Sequence, residues 1–209
     1  MATTPAKENI LKRIRQALSN PVPLPFPQSE GAQSVFTKPT EDIAVAFAQS
    51  FNQLQGKFIF CPDEASLQQQ LAQLIEIKGW KEMYCVEKKL TSLLTSLQLT
   101  PSAHLESCDA SLTSCEYLVA RTGTIVMSSA QASGRTTSVY APIHICIAYT
   151  SQLVYDAKEA LQFLKEKYTS NIPSLITFAS GPSRTADIEK TLVTGVHGPK
   201  EVYCFLIEG

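Results

Sequence analysis

A chain of 209 residues, 44% apolar and 18% charged, has the composition of a globular protein able to bury a substantial core. Its net charge of −1 provides no basic surface for capturing nucleic acid or an anionic membrane, so no nucleic-acid partner is expected. No apolar run approaches the roughly 20 residues that cross a bilayer, and the polar N-terminus lacks a signal-peptide core, so no membrane span and a cytoplasmic location are expected.

Residues 4–19 read as a helix. Thr4 is suited to cap it and Pro5 to open it, while Ile10, Leu11, Ile14 and Leu18 form an apolar stripe. The basic run KRIR at Lys12 to Arg15 belongs to this amphipathic element, and Asn20-Pro21 ends it. Five prolines, at 21, 23, 25, 27 and 39, then predict an extended, semi-rigid strap. Residues 1–39 are therefore expected to form a helix on a strap, and residues 40–209 an α/β domain.

The body alternates strand and helix signals. Residues 40–55 have helical period, with Ile43, Phe47, Phe51 and Leu54 on one face and Gly56 as the stop. A strand at 57–61, a helix at 63–78 closed by Gly79, a strand at 82–86 and a helix at 88–97 follow. Such alternation predicts a mainly parallel sheet flanked by helices. Residues 122–129 (TGTIVMSS) predict a strand entered through Gly123, leading into a polar loop up to Ser138. In residues 142–149, Ile143, Ile145, Ile147 and Tyr149 face one way, and His144, Cys146 and Ala148 the other. A helix at 153–168 and strands at 174–179 and 201–207 complete the pattern.

The six cysteines include no C-x-x-C pair, and the closest spacing, Cys108-x6-Cys115, is looser than iron–sulfur or zinc sites use. Cys61, Cys85, Cys146 and Cys204 lie in or beside apolar strand-like runs and read as small, reduced hydrophobes. No dinucleotide fingerprint, Walker A loop, G-x-S-x-G elbow or H-E-x-x-H occurs. No cofactor or metal is expected in this chain.

Ligands of α/β sheets bind beyond the carboxyl ends of strands. Two loops fit that description. Residues 128–138 offer Ser128, Arg135 and Ser138; residues 180–184 offer Ser183 and Arg184, with Thr185 beside them, placed where a helix should begin. Hydroxyls, first-turn N–H groups and a guanidinium would together grip a small carboxylate or phosphate. Helix capping by Thr185, Asp187 and Glu189 explains the same residues with no ligand. His197, between Gly195 and Gly198, is the candidate catalytic acid or base, or else a histidine held by turn backbone. His144 reads as a core histidine, and His104 is assigned nothing.

Gly181-Pro-Ser-Arg-Thr-Ala-Asp-Ile-Glu189, followed by Gly195-Val-His-Gly-Pro199, resembles the C-terminal signature of the lactate utilization protein C group in the LUD-domain family. Thr122-Gly-Thr124, with Arg135, Ser138, Pro142 and His144 downstream, is similar to that family's central motif, and residues 10–18 (ILKRIRQAL) to its N-terminal helix. The resemblance implies a fold related to ribose-5-phosphate isomerase, glucosamine-6-phosphate deaminase and the CoA transferases. It also implies a role beside two iron–sulfur partner subunits that oxidise L-lactate to pyruvate, with the clusters on the partners. It supplies no catalytic residue. A stand-alone enzyme acting on a sugar phosphate or acyl thioester, and a purely structural partner subunit, are the alternatives. Arg121 stands where many relatives have an acidic residue before the Thr-Gly-Thr strand, which argues against a glutamate nucleophile of the CoA-transferase type.

Overall fold

The computed structural model describes residues 5–19, 41–185 and 193–209. The chain divides into two units, Met1–Lys38 and Pro39–Gly209. In the first, α1 (Pro5–Leu18) exposes Ile10, Ile14 and Leu18. Its expected cap, Thr4, and the whole Pro-rich strap lie outside the described residues.

In the second unit, α2 (Ile43–Gln53) starts at Asp42, whose carboxylate accepts the Ala44 N–H at 2.7 Å. At its end Gln55, rather than Gly56, takes the left-handed conformation. After β1 (Lys57–Cys61), α3 (Glu64–Lys78) is capped by Asp63, which accepts the Ser66 N–H at 2.7 Å, and is closed by left-handed Gly79. β2 (Met83–Tyr84) is shorter than its apolar run, and α4 (Lys88–Ser96) follows. β3 (Ala110–Ser114) and β4 (Tyr117–Val119) went unpredicted, because ASLTS is small and polar although four of its five residues are buried. Then come β5 (Thr124–Ser128), the short α5 (Thr137–Tyr140), β6 (Ile143–Tyr149) and β7 (Leu153–Val154). The expected helix at 153–168 begins only at Ala157 as α6 (Ala157–Tyr168), since Leu153 and Val154 pair with β4 and Asp156 caps the helix. β8 (Ile176–Ala179), β9 (Arg184–Thr185), β10 (Val193–Thr194) and β11 (Glu201–Ile207) complete the chain.

Five strands form a parallel sheet in the order β1-β11-β6-β3-β2. A second sheet, β7-β4-β5-β8, is mixed, with β5 antiparallel to both β4 and β8. The sequence patterning anticipated the parallel sheet and its helices, but not the second sheet.

β6 separates two cores. Ile145 and Ile147 pack with Leu67 and Leu71 of α3 and with Leu90 and Leu94 of α4. Cys146 and Ala148 pack with Phe47 and Phe51 of α2 and with Leu118 and Ile125 of the second sheet. The outer face of that sheet buries Val119 and Val126 beneath Ala160 and Leu164 of α6. Each fully buried Leu, Ile or Phe contributes about 1.5–3 kcal/mol, so both faces of β6 are needed. Among the described residues no helix is long and apolar enough to cross a membrane.

Two positions make this packing testable. Gly123 is left-handed (φ 54°), and a Cβ there would lie 2.4 Å from the backbone N of Phe51. Gly79 is also left-handed (φ 67°) but faces open space. Gly123→Ala should cost about 2–4 kcal/mol in chemical denaturation and Gly79→Ala about 1 kcal/mol, the difference being the clash.

His144 is buried, with Nε2 2.8 Å from the hydroxyl of Thr113. Burial pushes its pKa down from 6.5 to about 4. The unfolded chain therefore takes up a proton below about pH 6.5 that the folded chain refuses until about pH 4. The His144 contribution should take up to about 3 kcal/mol from stability as pH drops through that window, and no more below it. His144→Gln should flatten this slope in denaturation curves taken from pH 7 to 4.

Candidate functional site

All five strands of the main sheet run the same way, so the connecting segments gather at two separate ends. At the carboxyl end lie the starts of α3 and α4, Ser114 closing β3 and Tyr149 closing β6. At the amino end lie Pro142 and residues 195–200, joined by a hydrogen bond from the Lys200 N–H to the Pro142 carbonyl at 2.7 Å.

Of the two loops expected to form one anion pocket, the Ser128 end of the first lies away from Ser183, while its Ser138 end returns with α5 to the amino end. β8 runs antiparallel to β5, pairing Ala179 with Ile125 and Ile176 with Ser128, so the segment after β8 emerges beside the start of β5. Thr122, Thr124 and Ser180 meet there, Thr124 Oγ1 lying 2.7 Å from Thr122 Oγ1 and 2.6 Å from Ser180 Oγ. No helix begins at Ser183. Arg184 and Thr185 form β9, paired with Thr194 and Val193 of β10. The Ser183 N–H donates to the Pro199 carbonyl at 2.9 Å, and its carbonyl accepts the Gly195 N–H at 2.9 Å. Residues 183–185 are themselves not helical, while the residues that a Thr185 cap would open, Asp187 and Glu189 among them, lie outside the described residues. His197 is exposed and lines a cavity of about 440 Å³ with Tyr140 and Lys200; neither Arg135 nor Arg184 lines it.

At the other end, Ser128 is buried and its hydroxyl donates to Glu116 at 2.5 Å, so it is spent on structure. The exposed Arg135 donates to the hydroxyl of Ser174, whereas Ser138 is half-buried within α5, whose Val139 and Tyr140 line the amino-end cavity with His197. Arg121 also has a structural partner: its Nε donates to Asp156, the cap of α6, at 2.6 Å.

What the fold assembles instead is a cleft at the carboxyl ends of the parallel strands. Two adjoining cavities of about 460 and 390 Å³ share Lys89, Leu90, Ile147 and Tyr149. Glu87 occupies the cap position of α4 without making a side-chain cap. Its carboxylate turns to Ser114, accepting the N–H at 3.0 Å and the hydroxyl at 2.5 Å. The first turn of α4 thus keeps N–H groups that no side chain caps, with Lys88 and Lys89 beside them. The Tyr149 hydroxyl donates to Glu64 at 3.3 Å. Burial, reinforced by the charge of Glu64, raises its pKa and keeps it a donor. Ammonium groups and hydroxyls above an apolar floor can hold an organic anion.

A chain of hydrogen bonds braces this cleft. Gln131 Nε2 donates to the Ser114 hydroxyl at 3.0 Å, while its carbonyl oxygen accepts the Ser128 N–H at 2.9 Å. Beyond Ser128, Glu116 also accepts Tyr168 and Lys167, each at 2.7 Å. Burial alone would raise the Glu116 pKa, but Lys167, Ser128 and Tyr168 outweigh it and hold the carboxyl below its usual range. The six cysteines are free and buried, in keeping with a packing role, and burial pushes Cys85 up to about 11. Among the described residues no group of three or more His, Cys, Asp or Glu could hold a metal ion.

Sequence reasoning passed over Lys88, Lys89 and Tyr149. The two lysines follow a strand and open a helix, which was the available signal, but adjacent lysines also read as solvated surface. The pairing of Glu87 with Ser114 is set by the parallel sheet and has no local signature.

Residues 100–207 match the LUD domain family. The chain belongs to that family. Lactate utilization protein C of Halalkalibacterium halodurans is 38% identical over 104 residues, covering 49% of this chain and 45% of that protein. The Bacillus subtilis protein of the same name is 33% identical over 104 residues, covering 49% and 43%. The matched stretch thus spans under half the length of these relatives. A crystal structure of a DUF162 family protein from Deinococcus radiodurans superposes with a TM-score of 0.60 at 19% identity, covering 79% of this chain and 96% of that one, which shows the fold.

Glu116→Gln removes the charge that Ser128, Tyr168 and Lys167 share. It should cost about 1–3 kcal/mol and speed amide exchange at Ala130, whose N–H donates to the Ser128 hydroxyl at 3.2 Å. Unchanged exchange at Ala130 would mean the brace does not hold the loop.

Proposed function

We propose that this chain serves lactate utilization as a subunit without a redox centre of its own, holding a carboxylate-bearing ligand in the cleft at the carboxyl ends of the parallel strands. The observation that carries the reading is the set of LUD-family relatives named lactate utilization protein C, at 33–38% identity. Oxidising a 2-hydroxy acid to a 2-oxo acid releases two electrons and two protons. The electrons are assigned to iron–sulfur partner subunits, and the ligand's carboxylate to Lys88, Lys89 and the open first turn of α4. A second reading uses the amino-end cavity, where His197 and Lys200 line the same space.

Deleting the gene should abolish growth on L-lactate and leave growth on pyruvate intact, and tagged protein should co-purify with iron–sulfur proteins. Normal growth of the deletion strain on L-lactate would refute the pathway. Lys89→Ala should weaken carboxylate binding by tenfold or more, the loss of about one charge-assisted hydrogen bond, while His197→Ala should leave it unchanged. The reverse pattern moves the site to the amino end.

A further inference from the structure

A groove of about 650 Å³ between α2 and β1 shares no residue with the cleft. Val45, Phe58, Phe60 and Leu153 give it an apolar lining, and Val45 and Phe60 are 47% and 45% exposed. Its charged residues are Asp42 and Glu208, and no Lys or Arg lines it. The described residues include a helix of matching character. On α1, Ile10, Ile14 and Leu18 are 58%, 49% and 74% exposed. At 3.6 residues per turn they form one stripe about 12 Å long, with Arg13 on one flank and Arg15 on the other. The helix carries four basic residues against one acidic residue, Glu8. Apolar anchors at i, i+4 and i+8 over an apolar groove are the two halves of helix-in-groove recognition, and opposite charges at the rim fix the register.

We propose that the groove between α2 and β1 receives α1 of a second copy of this chain, with Ile10, Ile14 and Leu18 on its apolar lining and the two arginines toward Asp42 and Glu208. In a single copy the stripe and the groove lining are both exposed to water, so each has apolar area to bury on association. Reciprocal exchange fills both grooves with both helices and closes as a two-fold dimer, leaving neither surface over. The contact is independent of what the cleft binds, because no cleft residue takes part in it.

The test is sedimentation equilibrium on the full chain over a range of concentrations, where a concentration-dependent dimer is expected. Ile14→Asp on the helix and Val45→Lys on the groove, both at exposed positions, should each weaken the dimer by about tenfold or more and leave the circular dichroism spectrum unchanged. Arg13→Glu with Arg15→Glu should also weaken it. Adding Glu208→Arg to that variant should recover affinity, a reversal that a misfolded chain cannot produce. A monomer at every concentration overturns the proposal and leaves the groove to a different occupant. A dimer indifferent to Ile14→Asp and Val45→Lys places the contact elsewhere and overturns it as well. Failure of Glu208→Arg to recover any affinity overturns the pairing of this helix with this groove.

Discussion

The strand Ile143–Tyr149 leaves no face for water, and the rest of the molecule is arranged around that. Ile145 and Ile147 need α3 and α4 on one side, while Cys146 and Ala148, being small, let α2 and the second sheet approach on the other. Its neighbour β11 repeats the division, with Tyr203 and Phe205 toward α3 and α4 and Val202, Cys204 and Leu206 toward α2. A sheet buried on both faces is stable as a parallel sheet because crossover segments supply the covers. The neutral histidine in the middle of it is tolerated because Thr113 satisfies it.

Parallel direction then decides where chemistry can sit. Helices that follow parallel strands all begin at the same end, so their uncapped N–H groups and first-turn side chains converge there. The antiparallel pairing of β5 with β8 does the opposite and returns the chain to the amino end. The glycines that mark the family resemblance are used there for packing: a Cβ at Gly181 would lie 2.4 Å from the Leu54 carbonyl oxygen, as one at Gly123 would meet Phe51. Together they seat the end of α2 against the second sheet.

Local signals were sufficient wherever a residue's role was local. Asp63 and Gly79 delimit α3 because capping and left-handed closure involve only near neighbours. Glu201–Ile207 was legible as a strand because a doubly buried strand is continuously apolar. β3 was hidden because its burial comes from neighbouring strands and not from its own composition. The pairing of Arg184 and Thr185 with Thr194 and Val193 had no local signature, since hydroxyls ahead of acidic residues also suit a helix start. The cleft was invisible for a related reason: its members come from residues 64 to 152, brought together only by strand order.

The match to the LUD domain begins at residue 100, and that boundary runs through the cleft. Ser114, Ile147, Tyr149 and Gln152 lie within the matched span and form its floor and one side. Glu64, Gln68, Lys88, Lys89 and Ser92 come before it, on α3 and α4, and form the opposing wall. The floor is fixed by the packing of β6, because Ile147 faces α3 and α4 while the residues beside it serve the other core. The wall is under less constraint: Lys88, Lys89, Ser92 and Ser96 are exposed, and α4 is anchored by Leu90 and Leu94. Substitutions on the outward positions of α4 can therefore reshape the cleft without disturbing the sheet beneath it, because this wall carries none of the sheet's own packing.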